Sequence, residues 1–218
     1  MPVAGDGANR PGSRIGFAAM YIIGILGGIA SGKSLVSEQL VRLGAGLLDA
    51  DAAAHEVLRL EEIETAARGR WGEEIFGPDG HIDRSALAKI VFAPPPGGPI
   101  EREYLEKLTH PAIGRVLRRR AEQLESEGAP AAVLDAPVLL EAGWGGLCDK
   151  LVFVDTPREL RLERVLRRGW NKEEFAAREA VQESLDLKRS RADATIDNRG
   201  SAEDTFSQVE RFWQSLFD

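Results

Sequence analysis

Residues Gly27-Gly-Ile-Ala-Ser-Gly-Lys-Ser34 fit the phosphate-loop pattern GxxxxGK[ST], and each residue type in that string has a chemical use. Gly27 and Gly32 allow backbone angles and close approaches that a Cβ would block. Lys33 can carry a point charge to the outer phosphates of a nucleotide, and the Ser34 hydroxyl can ligate Mg²⁺. The backbone of Gly28, Ile29, Ala30, Ser31, Gly32, Lys33, Ser34 and Leu35 is expected to surround the nucleotide.

Other residues could complete a phosphoryl transfer, which asks for an in-line acceptor, surrounding cations and a carboxylate to take the acceptor proton. Asp49 and Asp51 close an apolar run, Ala45-Gly-Leu-Leu-Asp-Ala-Asp51, that reads as a short strand. Two apart in a strand, they would face the same side. They suit a general base, and they suit equally well solvated caps of the next helix. Arg161, Arg164 and Arg168 are spaced three and four apart, so they share a helix face. That face either brings guanidinium groups onto phosphates as a mobile lid, hinged near Gly169, or pairs in solvent with Glu159, Glu163, Glu173 and Glu174. His110 has no companion histidine or cysteine cluster, so a zinc site is not indicated.

The elements that must position these groups are legible around them. Tyr21-Ile-Ile-Gly-Ile-Leu26 is an apolar strand feeding the loop, and a helix opening at Lys33 shows its apolar stripe in Leu35, Val36, Leu40, Val41 and Leu43. A glycine-rich turn without a ligand would carry similar residues, but here the strand before and the helix after are both present. Strands are expected again at Ala131–Asp135, Leu151–Asp155 and Ala194–Asp197. Asp135, at the end of its strand, suits the water shell of a magnesium ion. Thr156-Pro157 reads as a cap and proline start for a helix near Arg158. Between the strands, residues 52 to 125 read as a helical insertion broken at Gly69, at Gly77–Gly80 and at Pro94–Pro99. Strands alternating with helices imply a parallel sheet with its ligand at the strand carboxyl ends.

Composition narrows the class. In 218 residues, 29% charged and 43% hydrophobic is ordinary globular material, long enough for a substantial core. A formal net charge of −7 argues against a broad nucleic-acid footprint, and no segment approaches a transmembrane helix. Cys148 is the single cysteine, which excludes an intramolecular disulfide and fits a cytoplasmic location. Arg10 and Arg14 before an apolar run imitate a signal peptide, but cleavage there would remove the strand feeding the loop. Residues 1 to 19 are therefore expected to be a disordered extension, with Met20 as the real start. The nearest string to the guanine-reading Asn-Lys-x-Asp is Asn171-Lys-Glu-Glu174, which lacks the aspartate. Motor ATPases need more chain, so a small phosphotransferase is the leading class.

An ordered set of strings then resembles one family. Gly27-Gly-Ile-x-Ser-Gly-Lys-Ser, Leu48-Asp-Ala-Asp51-x-x-Ala-His55, Asp79-Gly-His-Ile-Asp-Arg84, Leu108-x-His-Pro111, Ala136-Pro-Val-Leu-Leu-Glu141 and Ala192-Asp193-x-x-Ile-Asp-Asn198 resemble dephospho-CoA kinase from about Tyr21 to the final helix. The resemblance implies transfer of the γ-phosphate of ATP, with Mg²⁺, to the ribose 3′-hydroxyl of dephospho-coenzyme A. It implies an α/β fold of the P-loop nucleoside triphosphate hydrolase type, with a parallel sheet flanked by helices. The core would be residues 20–51 with 129–160 and 192–218, the helical acceptor domain 52–128, and the lid 161–191. By the same resemblance Asp51 is the general base, with Lys33 and Arg168 as its catalytic partners. Asp49, Arg84 and His110 lie towards the acceptor, Arg178 and Gln182 belong to the lid pattern, and Asn198 falls near the adenine.

Three departures from the family pattern matter. Leu35 stands where a threonine is usual, Ala30 where a glycine is, and the lid is one residue shorter around Arg168-Gly-Trp-Asn171. The last leaves the phosphate-contacting arginine open among Arg164, Arg167 and Arg168. Another small P-loop nucleoside or nucleotide kinase, or an inactive nucleotide-binding regulator, remain the alternatives. The expected protein is a monomer or weak homo-oligomer without nucleic-acid or membrane partners.

Overall fold

The computed structural model describes residues 20–218; the N-terminal extension expected for residues 1–19 lies outside the described residues. Five strands, β1 (Tyr21–Gly27), β2 (Gly46–Asp49), β3 (Ala131–Asp135), β4 (Lys150–Asp155) and β5 (Ala194–Asp197), pair in parallel in the order β2-β3-β1-β4-β5. β1 therefore sits in the middle, covered on both faces, which is why it reads as a continuous apolar run rather than an alternating one.

Nine α-helices surround the sheet among the described residues: α1 (Lys33–Arg42), α2 (Ala50–Val57), α3 (Glu61–Trp71), α4 (Arg84–Val91), α5 (Gly97–Ser126), α6 (Arg158–Arg167), α7 (Lys172–Ala180), α8 (Leu185–Arg191) and α9 (Ala202–Gln214). Ile23, Ile25, Val133, Val152 and Val154 pack on one face against Val36 and Leu40 of α1 and Val209 of α9. Leu26, Leu48, Leu134 and Phe153 pack on the other against Ala53 and Val57 of α2 and Ile113 and Leu117 of α5. Burying a side chain such as Phe153 contributes about 2–3 kcal/mol. Gly24 marks a close approach in the middle of the sheet, because a Cβ there would lie 2.7 Å from Cys148 Sγ and 2.8 Å from Leu151 Cδ2. The insertion has a small core of its own, made by Ala67, Trp71, Ile75, Leu87 and Val91.

Three local expectations are corrected. β2 stops at Asp49, whose side chain accepts a hydrogen bond from Ala52 N at 2.9 Å and caps α2, so Asp51 lies in a helical first turn and the same-side argument for a strand does not apply. Gly69 does not break its helix: α3 runs through to Trp71 and ends at Gly72, where φ is +76°. The roughly 1 kcal/mol cost of an interior glycine is offset by Ala67 and Trp71, buried on either side of it. Thr156 does not cap α6, since Pro157 holds that position and the Thr156 hydroxyl donates instead to Ser31 O, 125 residues away in sequence.

Candidate active site

The phosphate loop joins β1 to α1 at the carboxyl end of the sheet. Gly27, Ala30 and Gly32 all have positive φ, at 156°, 56° and 96°. The helix that follows starts without a cap: Gly32 offers no side chain, and the first turn of α1 holds no acidic residue. Its opening N–H groups and dipole are therefore free for an anion. Lys33 Nζ reaches back to Gly28 O at 3.0 Å and Gly27 O at 3.3 Å. Burial, helped by the nearby charge of Lys188 and opposed by Asp135, lowers its pKa from 10.5 to about 8. A phosphate arriving there would restore the charge that burial disfavours.

The loop is braced from behind by parts of the chain far away in sequence. Ser31 O accepts from Thr156 Oγ1 at 2.8 Å, from Asn198 Nδ2 at 2.7 Å and from Arg164 NH1 at 3.2 Å. Arg164 also donates to Ala30 O at 3.2 Å and to Asn198 O at 2.9 Å. Asn198 is 3% exposed, and its Oδ1 accepts from Thr205 Oγ1 at 2.9 Å. Both ends of its amide are thus engaged in holding the loop, on the side where a Cβ on Gly32 would lie 2.1 Å from its Nδ2. The residue expected near the adenine is here a brace of the phosphate loop.

The arginines divide by the geometry of α6. Arg161 is 2% exposed and Arg164 half-buried, and both guanidinium groups reach the loop. Arg168 follows the last turn and is exposed, with no hydrogen bond to the loop among the described residues. Its charge is still felt at Arg164, whose pKa is lowered first by burial and then by Arg168. Of the solvated pairing, Arg167 with Glu163 is present at 2.5 Å, whereas Arg161 pairs with Glu179 of α7 at 2.8 Å. Arg178 stacks on Trp170, with its guanidinium carbon 4.0 Å from a ring centroid.

Beside the loop, β2 and β3 put Asp49 and Asp135 in register. Burial pushes the Asp135 carboxyl up against the pull of Lys33, and the charges of Asp51 and Asp49 add to the upward push. Asp51 is exposed at the start of α2 and Asp49 half-buried. Ser34 is exposed on the first turn of α1, its hydroxyl facing no protein partner among the described residues. No group of three His, Cys, Asp or Glu side chains among those residues is set to hold a metal alone. A magnesium ion shared between the Ser34 hydroxyl and nucleotide phosphates fits this donor set, because an exposed hydroxyl beside a lysine and carboxylates can complete a shell of phosphate and water oxygens. Ile29, Ala30 and Leu35 are half-buried along the loop and the first turn of α1.

The residues expected towards the acceptor are more scattered. Arg84 is the exposed first residue of α4, and His110 lies half-buried in α5. The His110 ring meets Trp144 edge-on, with centroids 5.4 Å apart, and burial lowers its pKa against the pull of Glu106. Sequence reasoning missed the bracing role of Thr156 and an ion pair between the buried Lys188 of α8 and Glu141, 3.0 Å long, at the edge of the same site. No local pattern marks these contacts, since the partners are distant in the chain.

A parallel sheet with a glycine-rich loop after its central strand, an uncapped helix N-terminus and a lysine drawn in against the loop define a P-loop nucleotide-binding protein of the small-kinase type. The sequence model described as Dephospho-CoA kinase matches residues 21–204. The chain is 44% identical to the dephospho-CoA kinase of Symbiobacterium thermophilum, covering 90% of this chain and 81% of that protein. It is 43% identical to that of Geobacter metallireducens, covering 91% and 98%. The solved dephospho-CoA kinase from Campylobacter jejuni superposes with a TM-score of 0.67 at 27% identity, over 89% of this chain and 96% of that one. The chain belongs to the dephospho-CoA kinase family, and it is a kinase.

Proposed function

We propose that this chain transfers the γ-phosphate of ATP to the ribose 3′-hydroxyl of dephospho-CoA, giving coenzyme A and ADP, and that Asp51 takes the acceptor proton. The observation that carries this reading is the convergence of the phosphate loop and Lys33 with the carboxylates of Asp49 and Asp135 at adjacent strand ends and of Asp51 in the helical turn that follows. Lys33 offsets charge on the outer phosphates, and the α1 N-terminus holds them through backbone N–H groups. Magnesium, held by Ser34, would add charge neutralisation at the same oxygens. Asp49 fixes the first turn of α2 by capping it, and so sets the direction of Asp51. Positioning and electrostatics supply most of the catalysis, so a braced loop matters more than any single proton transfer.

The same reading assigns residues 20–51, 129–160 and 192–218 to the nucleotide core, 52–128 to the acceptor domain with Arg84 and His110 towards the substrate, and 161–191 to a lid that brings Arg168 closer on closure. The separate small core around Trp71 and Leu87 supports treating the insertion as a unit. No helix among the described residues is long and apolar enough to cross a membrane. A cytoplasmic monomer or weak homo-oligomer completes the reading. The test is incubation with Mg-ATP and dephospho-CoA, following ADP and coenzyme A by chromatography against adenosine, AMP and shikimate. Coenzyme A formed with dephospho-CoA alone supports it; ADP formed only with another acceptor refutes it.

A further inference from the structure

Arg161 carries a buried donor with no hydrogen-bond partner. It is 2% exposed, and two of its three guanidinium nitrogens are used: Nε donates to Thr156 O at 3.2 Å and NH2 pairs with Glu179 Oε1 at 2.8 Å. The third, NH1, is buried with no hydrogen-bond partner. A charged donor left unpaired out of water is costly, and native structures rarely leave one without a use. Its position says where the partner comes from. A Cβ built on Gly28 would lie 2.7 Å from NH1, so the guanidinium presses on the second residue of the phosphate loop at a place kept open by the glycine. Lys33 Nζ meets Gly28 from its carbonyl, 3.0 Å away. Two cations therefore converge on one residue of the loop.

We propose that Arg161 NH1 binds an outer phosphate oxygen of the nucleoside triphosphate, and that its NH2 bond to Glu179 links occupancy of the loop to the position of α7. Glu179 also accepts from Arg158 Nε at 2.8 Å, so α7 is held to α6 by two arginines, of which one touches the nucleotide. The diphosphate product, lacking the outermost group, leaves NH1 unpaired again and loosens that link. The inference rests on Gly27–Ser34 being the nucleotide site, and the test separates the two.

The experiment is isothermal titration of wild type, Arg161→Met, Arg161→Lys and Glu179→Gln with a non-hydrolysable ATP analogue and with ADP, together with stopped-flow measurement of ADP release. Arg161→Met leaves Glu179 paired with Arg158, so no buried carboxylate is orphaned and the variant is expected to fold, checked by its melting curve. Wild type should prefer the triphosphate. Arg161→Met should lose roughly 10-fold or more of triphosphate affinity, the expected worth of a charge-assisted hydrogen bond, with ADP affinity within about 2-fold. Arg161→Lys should keep the charge and part of the preference, while Glu179→Gln should keep the preference and speed product release. Equal losses for both nucleotides, or none in a folded Arg161→Met, would make Arg161 a purely structural tie and overturn the inference. If Arg161→Met does not fold, Arg161→Lys decides: an unchanged preference there, with unchanged release in Glu179→Gln, overturns the inference as well. Wild type that binds neither nucleotide would overturn the phosphate-loop reading itself.

Discussion

Replacing Asn198 by alanine separates a bracing role from a base-reading one. The side chain makes two hydrogen bonds, from Nδ2 to Ser31 O at 2.7 Å and to Oδ1 from Thr205 Oγ1 at 2.9 Å, in a site only 3% exposed. Neither partner is orphaned by its loss, because Ser31 O keeps Thr156 and Arg164, and Thr205 Oγ1 keeps Ser201 O at 3.1 Å. The cost is then two net hydrogen bonds of about 1 kcal/mol each plus a small void, about 2–3 kcal/mol together. At about 2–4 °C per kcal/mol for a chain of this size, the melting temperature should fall by about 5–10 °C. Nucleotide titration completes the assay. A looser loop weakens every triphosphate by the same factor, so ATP and GTP affinities should fall in parallel. A selective loss of ATP over GTP, or unchanged melting and affinity, would refute the bracing argument.

Asp51→Asn should keep ATP binding and lose most turnover with dephospho-CoA, measured by coupled ADP release; turnover at the wild-type level removes Asp51 as the base. Ala30→Gly relieves a left-handed alanine at φ 56°, and should raise stability by about 0.5–1 kcal/mol in a denaturant titration, the strain relieved exceeding the added chain entropy. Lys33, with a folded pKa near 8 and an unfolded one of 10.5, makes the nucleotide-free protein gain stability as pH rises from about 8 to 10.5, because the unfolded state holds more proton there. Phosphate binding reverses that shift, so ATP binding above pH 8 should take up a proton and weaken as pH rises. Calorimetry in two buffers of different ionisation enthalpy would detect the uptake, and its absence would place Lys33 away from the phosphates.

Much of this molecule is encoded in short range. The string Gly27–Ser34 between an apolar run and an amphipathic helix specifies the phosphate loop, because backbone geometry there depends on glycine positions and on what precedes and follows them. β3 and β5 begin and end where the sequence marks them, since short apolar runs bounded by turn residues carry their own limits. Capping competition was less legible: Asp49 could continue a strand or cap a helix, and a hydrogen bond to Ala52 decided it. What only the tertiary structure decided is which distant groups meet the loop. Thr156 and Asn198 lie 125 and 167 residues from the Ser31 carbonyl they share, with Arg161 and Arg164 between them in the chain, and sheet order brings all four to the loop by placing β4 beside β1 and β5 beside β4. Helical spacing makes Arg161, Arg164 and Arg168 equivalent on one face; the end of α6 at Arg167 and its packing against the loop make them different. Spacing along a chain fixes which side chains can share a surface, while burial and partners, which are properties of the folded whole, fix which of them has a free donor left for a ligand.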